Sequence, residues 1–345
     1  MAFLFLLAAV FRLALPGYHY QFPRDHFDHP DFQTEWWYYT GNVHDNAGRR
    51  YGFELVFFRH GERRGIENPS AWRVDDLYLA HFAITEIDGA KFHYAHRINR
   101  AGPGIAGISE QPGRIWNGNW QVLWNTASGE QTLSAISPGM SLNLRLSPET
   151  APVIHGEGGL SRTGAEPGQA AYYVSFPRLA AKGTLDGARV NGAAWMDHEW
   201  FTSLLDTTQQ GWDWFSIQLE NRSELMLFQL RHKDGEEDAH SAGTYIPPAG
   251  RPVNLRRSDF RLQPVAWWTS ARTGARYPVK WRVTVPSLRL DLLCSAALPN
   301  QELVFEDHSA PAYWEGAVTY SGSASGLGYL EMTGYSGQGS LATLR

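Results

Sequence analysis

Apolar and aromatic residues along this chain alternate with polar ones in short runs, and the longer 3.6-residue rhythm of amphipathic helices is scarce. The runs at 35–43, 51–59, 77–85, 120–124, 141–146, 171–176, 215–219, 224–231, 279–285 and 317–321 are rich in β-branched and aromatic side chains and are bounded by Gly, Asn, Asp and Pro. Strands of this length and spacing predict an all-β protein built as sandwiches or barrels. The run at 3–15 differs, being apolar except for Arg12. It falls short of the ~20 residues a membrane-spanning helix needs and suits the core of an export signal. Residues 1–20 are therefore expected to be a signal segment, implying a periplasmic or secreted protein; the alternative is a buried N-terminal strand or helix.

Two segments echo each other. Trp36-Trp37-Tyr38-Tyr39 leads to a turn at Asp45-Asn46 and then to a strand ending in Arg59. Trp212-Asp213-Trp214 leads to a turn at Glu220-Asn221 and then to a strand ending in Arg231. Two related β units follow from this. The expected boundaries are 21–205 and 206–345, with the junction at 204–210.

Composition narrows the function. The chain has 345 residues, 43% hydrophobic and 13% aromatic, which excludes a disordered protein. Its 34 Gly and 19 Pro fall well short of the roughly 25–30% of low-complexity chains. A net charge of −5 and the absence of a basic run interleaved with aromatics argue against nucleic acid as a partner. The single cysteine, Cys294, excludes an internal disulfide framework and any multi-cysteine metal site. No G-x-S-x-G, P-loop or H-E-x-x-H motif is present.

The candidate chemistry lies on aromatic strands. Alternation puts Glu35, Trp37 and Tyr39 on one face and Trp36 and Tyr38 on the other. Trp212 and Trp214 share a face and Asp213 points away, so either the indoles or the acid can face a cavity. The densest cluster is Trp195-Met196-Asp197-His198-Glu199-Trp200. An extended strand separates His198 and Trp200 from Asp197 and Glu199, whereas a bulge or turn would unite all four. Three readings stay open: acid/base catalysis, a metal site, and a satisfied hydrogen-bond network at a barrel rim. The metal reading is the weakest, because consecutive ligands cannot all face one ion and no second histidine cluster of ligand spacing supports it. His26 and His29 sit in a Pro-bounded segment that reads as a solvated loop. Gly118-Asn119-Trp120 fits the G-x-W pattern of lipocalin strands, a signal of little weight.

Several blocks resemble the AttH-like family, which includes carotenoid 1,2-hydratases. They are Phe22-Pro-Arg-Asp-His26, Thr34-Glu-Trp-Trp-Tyr-Tyr-Thr-Gly-Asn42, Tyr172-Tyr-Val-Ser-Phe-Pro-Arg178, Gly192-Ala-Ala-Trp-Met-Asp-His-Glu-Trp200, Gly211-Trp-Asp-Trp-Phe-Ser216, Tyr313-Trp-Glu-Gly-Ala317 and Gly328-Tyr-Leu-Glu-Met-Thr-Gly334. The resemblance spans roughly residues 20–340 and implies two tandem lipocalin-like (calycin-type) antiparallel β-barrel domains with a ligand cavity at or near their interface. It also implies cofactor-free chemistry.

The resulting expectation is an exported protein that binds an apolar, isoprenoid-like ligand and acts as a hydratase or lyase on a C=C bond. Asp197, His198, Glu199 and Trp200 form the expected catalytic set. Glu35, Trp37, Tyr39, Tyr172, Trp195, Trp212, Asp213, Trp214 and Trp314 form the expected ligand-binding set. No metal and no organic cofactor are expected. The alternative is a non-catalytic lipid or isoprenoid carrier that works beside an ABC exporter, with peripheral contact to the membrane.

Overall fold

A computed structural model describes residues 11–62, 69–70 and 73–337. The chain is almost entirely β and forms two antiparallel sheets, each barrel-like. The first comprises β1 (Thr34–Asp45), β2 (Arg50–Gly61), β3 (Asp76–Glu86), β4 (Lys91–Arg100), β5 (Ala106–Ser109), β6 (Arg114–Asn117), β7 (Trp120–Trp124), β8 (Gln131–Ser137), β9 (Met140–Pro148), β10 (Val153–Ile154), β11 (Ser161–Arg162), β12 (Ala170–Leu185) and β13 (Ala188–Phe201). The second comprises β14 (Gln209–Leu219), β15 (Glu224–His232), β16 (Ala242–Ile246), β17 (Val253–Arg256), β18 (Arg261–Thr269), β19 (Arg276–Val285), β20 (Leu290–Ala296), β21 (Glu302–Leu303), β22 (Tyr313–Gly322) and β23 (Gly326–Met332).

In both sheets the first strand lies between the second and the last. β1 pairs with β2 and β13, and β14 pairs with β15 and β23. The two Trp-led hairpins thus hold equivalent places. Their turns fall where Asp45 and Leu219 close them: Asp45 N–H donates to Arg49 O, and Leu219 N–H to Ser223 O. The first sheet curls until β4 meets β6, where side chains bridge the seam: Asn99 Nδ2 donates to Asn117 Oδ1 at 2.6 Å and Arg97 to Asn117 O at 3.1 Å.

Strand β1 is apolar on both faces because both are covered. Trp37, Tyr39 and Val43 enter the core of the first barrel with Phe53, Leu55, Phe82, Trp120 and Met196. Trp36 and Tyr38 face the second sheet instead, and join a separate core with Val56, Tyr173, Trp195, Trp212, Trp214, Tyr313 and Tyr329. A third core fills the second barrel and contains Phe215, Leu227, Tyr277, Trp281, Trp314 and Leu330. Each barrel is packed with its own side chains, and open space is left between them.

Residues 11–20 are docked on the first barrel. Leu15 N–H donates to Tyr172 Oη at 3.0 Å, Tyr20 Oη donates to Gly159 O at 2.7 Å, and Ala14 is fully buried. Removal of the whole of 1–20 would strip these contacts. The first ten residues lie outside the described part of the chain.

Candidate active site between the two barrels

Regular alternation in β13 decides the site. No bulge interrupts its ladder with β1, whose register runs Trp36↔Glu199, Trp37↔His198, Tyr38↔Asp197. Asp197 and Glu199 therefore share a face with Trp36 and Tyr38, and this face looks onto a cavity between the barrels. Strand β2 adds Glu54, Val56 and Phe58, β12 adds Tyr173, and the second sheet closes the chamber with Trp212, Trp214, Phe228, Leu230, Tyr313 and Glu331. Of the tryptophan face and acid of β14, the indoles face the cavity. Asp213 lies inside the second barrel, 3.0 Å from Arg231 and 2.9 Å from Tyr335 Oη.

The carboxyls of this chamber are held differently. Asp197 is buried and accepts from Tyr173 Oη at 2.8 Å, Trp195 Nε1 at 2.6 Å and Ser175 Oγ. Burial pushes its pKa up to about 7, outweighing the three donors, which favour the ionised form. Behind it, His155 Nε2 lies 2.6 Å from Ser175 Oγ, and His155 Nδ1 lies 2.8 Å from Thr244 Oγ1. Burial lowers the His155 pKa to about 3, so the ring is neutral; since Ser175 Oγ–H donates to Asp197, His155 Nε2–H donates a hydrogen bond to Ser175 Oγ.

Glu199 and Glu331 are only half-buried, because they open onto the cavity. Burial and the neighbouring Asp197 and Glu331 raise Glu199 well above the carboxylate range, opposed by the Trp36 indole. Glu331 accepts from Trp212 Nε1 at 3.0 Å and is raised by burial to about 7. Glu54 accepts from Tyr313 Oη at 2.9 Å through one oxygen, its other oxygen has no partner, and burial raises its pKa. Just behind the wall, Glu315 accepts from Tyr38 Oη and is raised by burial and by Glu54.

His198 and Trp200 point the other way, into the end of the first barrel. There Glu35 Oε1 lies 2.8 Å from His198 Nε2 and 2.7 Å from His29 Nδ1. Glu35 Oε2 accepts from Arg59 Nε at 3.2 Å and from the His29 N–H at 2.8 Å. His29 stacks flat on Trp200 with ring centres 3.8 Å apart. Burial alone would raise Glu35, but His29, His198 and Arg59 hold it below the usual carboxylate range. Burial lowers His198 against the pull of Glu35, while Glu35 and Asp25 raise His29 against burial. His29 and His198 thus share one carboxylate, and the site favours the charged form of His29 more than that of His198.

Several expectations are corrected here. The segment holding His26 and His29 is a plug, not a solvated loop: His29 is 2% exposed, and the His26 ring stacks on Trp124 at 4.5 Å. His198 and Trp200 do not join Asp197 and Glu199, because the strand stays regular. Glu35, Trp37 and Tyr39 face the first barrel's interior for the same reason. Tyr172 lies under the N-terminal segment, stacked on Tyr18, and Trp314 belongs to the second barrel's core. Trp195 stands behind the wall as a donor to Asp197.

The second histidine that a metal site lacked in sequence is His29. His29, Glu35 and His198 offer ligand-type atoms within 4.8 Å of one another. Two imidazoles and a carboxylate can bind a divalent transition metal, but here both Glu35 oxygens are already engaged by His29, His198 and Arg59, while His198 Nδ1 has no partner. Sequence reasoning also missed Glu54, Glu331, Tyr173, Tyr313, Ser175 and His155. The available signal was a lone acid in an apolar strand, as in Gly52-Phe-Glu-Leu-Val56 and Tyr329-Leu-Glu-Met332.

The AttH-like family profile matches residues 13–335, and the chain belongs to that family. A crystal structure of an AttH-assigned protein from Nitrosomonas europaea is similar at 33% identity and a TM-score of 0.85, covering 94% of this chain and 99% of that one. The dehydratase asqC of Emericella nidulans is 20% identical over 270 residues, 73% of this chain and 74% of that protein. Kievitone hydratase from Nectria haematococca shares the fold, with 16% identity and a TM-score of 0.67 over 88% of this chain and 89% of that one.

Proposed function

We propose that this protein is a cofactor-free hydratase or dehydratase acting on an apolar substrate in the interdomain chamber. The observation that carries the reading is the pair Asp197 and Glu199, two residues apart on one strand face and both opening onto a tryptophan-lined cavity. A hydratase and a dehydratase among its distant relatives agree with it.

Adding water to an alkene needs a proton donor, a shelter for the cation and a base for the water. Glu199 is the donor: burial keeps its carboxyl protonated and the cavity gives it access to the substrate. Its proton goes to one alkene carbon as the π pair forms the new C–H bond, leaving a carbocation at the other. The faces of Trp36, Trp212 and Trp214 stabilise that cation by roughly 0.5–2 kcal/mol each. Water attacks the cation, and Asp197 takes the released proton, oriented by Tyr173, Trp195 and Ser175. Dehydration is the reverse. A positioned acid of this kind contributes roughly 10²- to 10⁴-fold.

The test is a panel of apolar alkenes and their tertiary alcohols incubated with the protein in ¹⁸O-water and read by mass spectrometry. Isotope incorporation that Glu199→Gln abolishes and Asp197→Asn reduces supports the reading. Incorporation unchanged in both variants sinks it. The carrier alternative draws on the same apolar volume; organic extraction of the purified protein, releasing an unaltered lipid with no turnover of the panel, would favour it. Export is proposed through the segment at 1–20, whose removal would strip the contacts of residues 11–20 with the first barrel; the N-terminus of the mature protein tests this.

A further inference from the structure

The polar lining of the chamber is one-sided. Glu54, Asp197, Glu199 and Glu331 face it, with Glu315 one layer behind, and among the described residues no Lys, Arg or His lines it. The nearest imidazoles, His81 behind Tyr313 and His155 behind Ser175, are both lowered to about 3 by burial and carry no charge. The rest of the wall is aromatic or aliphatic, apart from Ser161 and Thr163. One carboxyl is also incomplete: Glu54 lines the cavity, is 0% exposed, and its Oε2 has no hydrogen-bond partner.

An anionic ligand would meet four carboxyls and no compensating cation, and buried unpaired charge is strongly disfavoured. A cation would meet the negative faces of Trp36, Trp212 and Trp214 together with carboxyls able to ionise beside it. We infer that the chamber takes an apolar molecule bearing a protonated nitrogen, so that the substrate is an alkene or alcohol carrying a basic amine and fatty-acid-like anions are rejected. The inference rests on the interdomain chamber being the ligand site, as proposed above. The ammonium N–H groups donate to Glu54 Oε2 and to Glu331, which leaves Glu199 protonated for the alkene, and the aromatic walls hold the hydrocarbon.

Three probes of one shape but different charge test this: 4-phenylbutylamine, 4-phenylbutan-1-ol and 4-phenylbutanoate, titrated calorimetrically into the full chain at neutral pH. The amine should bind roughly tenfold or more tightly than the alcohol, and the carboxylate about a hundredfold more weakly than the amine. Amine binding should also release protons to the buffer, as carboxyls ionise. The double variant Glu54→Gln, Glu331→Gln should bring the amine down to the affinity of the alcohol. A cooperative thermal unfolding transition shows that the variant is folded, and if it does not fold, the wild-type ranking decides. An alcohol that binds as tightly as the amine overturns the inference but leaves the hydratase reading standing. So does a carboxylate that matches the amine. Failure of all three to bind overturns it as well. Tight amine binding without any isotope incorporation from the alkene panel would sink the chemistry and keep the cation site.

Discussion

Glu35 and His198 meet across the β1–β13 ladder with Oε1 and Nε2 2.8 Å apart, on the opposite side of the sheet from Asp197 and Glu199. One sheet thus carries a closed, charge-balanced network on its inner face and an open, carboxyl-only set on its outer face. The inner network stabilises the barrel end. Glu35→Gln takes one counter-charge from the buried Arg59 guanidinium and leaves Asp76 at 3.0 Å beside it. Breaking a buried pair in this way costs about 3–5 kcal/mol. Denaturant unfolding should show a loss of that size, and affinity for the chamber's ligand, measured per folded molecule, should not change.

The outer set gives stability an uncommon pH dependence. Asp197 and Glu331 ionise near 7 in the folded chain, and near 4 in the unfolded chain. Between those values the folded state holds protons that the unfolded state has released, so unfolding free energy falls as pH rises. Glu35 and Asp25, held low by their partners, act in the opposite sense: their contribution is present above the unfolded carboxyl range and is lost as pH falls through their folded values. His26, His81 and His155, lowered to about 3 by burial, also add stability as pH rises toward the ordinary histidine range, so maximum stability is expected near pH 6, with a decline from there to about pH 8. Thermal unfolding across pH 4–9 checks this. Asp197→Asn should flatten the alkaline decline, and a curve that keeps rising to pH 8 would contradict the assignment.

Ser175 tunes Asp197. Its hydroxyl donates to the carboxylate and so favours the ionised form. Ser175→Ala should raise the Asp197 pKa by about one unit, read from the carboxyl ¹³C shift of labelled aspartate. His155→Phe should act in the same direction more weakly, since it only frees Ser175 to reorient.

Docking of the barrels is equally open to test. Gly52 lies on β2 where a Cβ would stand 2.7 Å from Ala317 Cβ and 3.2 Å from Tyr329 Oη of the second sheet. Gly52→Val should force the sheets apart, costing about 1–3 kcal/mol, and should weaken ligand binding more than Glu35→Gln does. Equal binding in the two variants would show that the interface does not shape the chamber.

Alternation along β1, β13 and β14 could be read directly, because aromatic side chains mark both faces of each strand and a regular strand preserves the separation. It correctly divides Trp36 from Trp37 and Asp197 from His198. Which face meets a cavity could not be read, since a strand covered on both sides is aromatic on both. His29 was misjudged for a related reason. Flanked by Pro30 and acids, it has the local pattern of a solvated turn, and only its contact with Trp200, remote in sequence, shows it to be buried. Glu54 and Glu331 were overlooked because each is a single acid in its strand, and they gain meaning only when β2 and β23 are brought face to face.

The chamber draws its walls from both sheets, and the segment at 202–208 that joins them is itself pinned: Thr163 Oγ1 donates to Leu204 O, and the Asp206 N–H donates to Gln209 Oε1 at 2.9 Å. Neither shell owns a binding site by itself. If the chamber takes the guest proposed above, guest selection is written into the angle at which two prefabricated halves are clasped, and a substitution far from any guest would retune the protein simply by resetting that clasp.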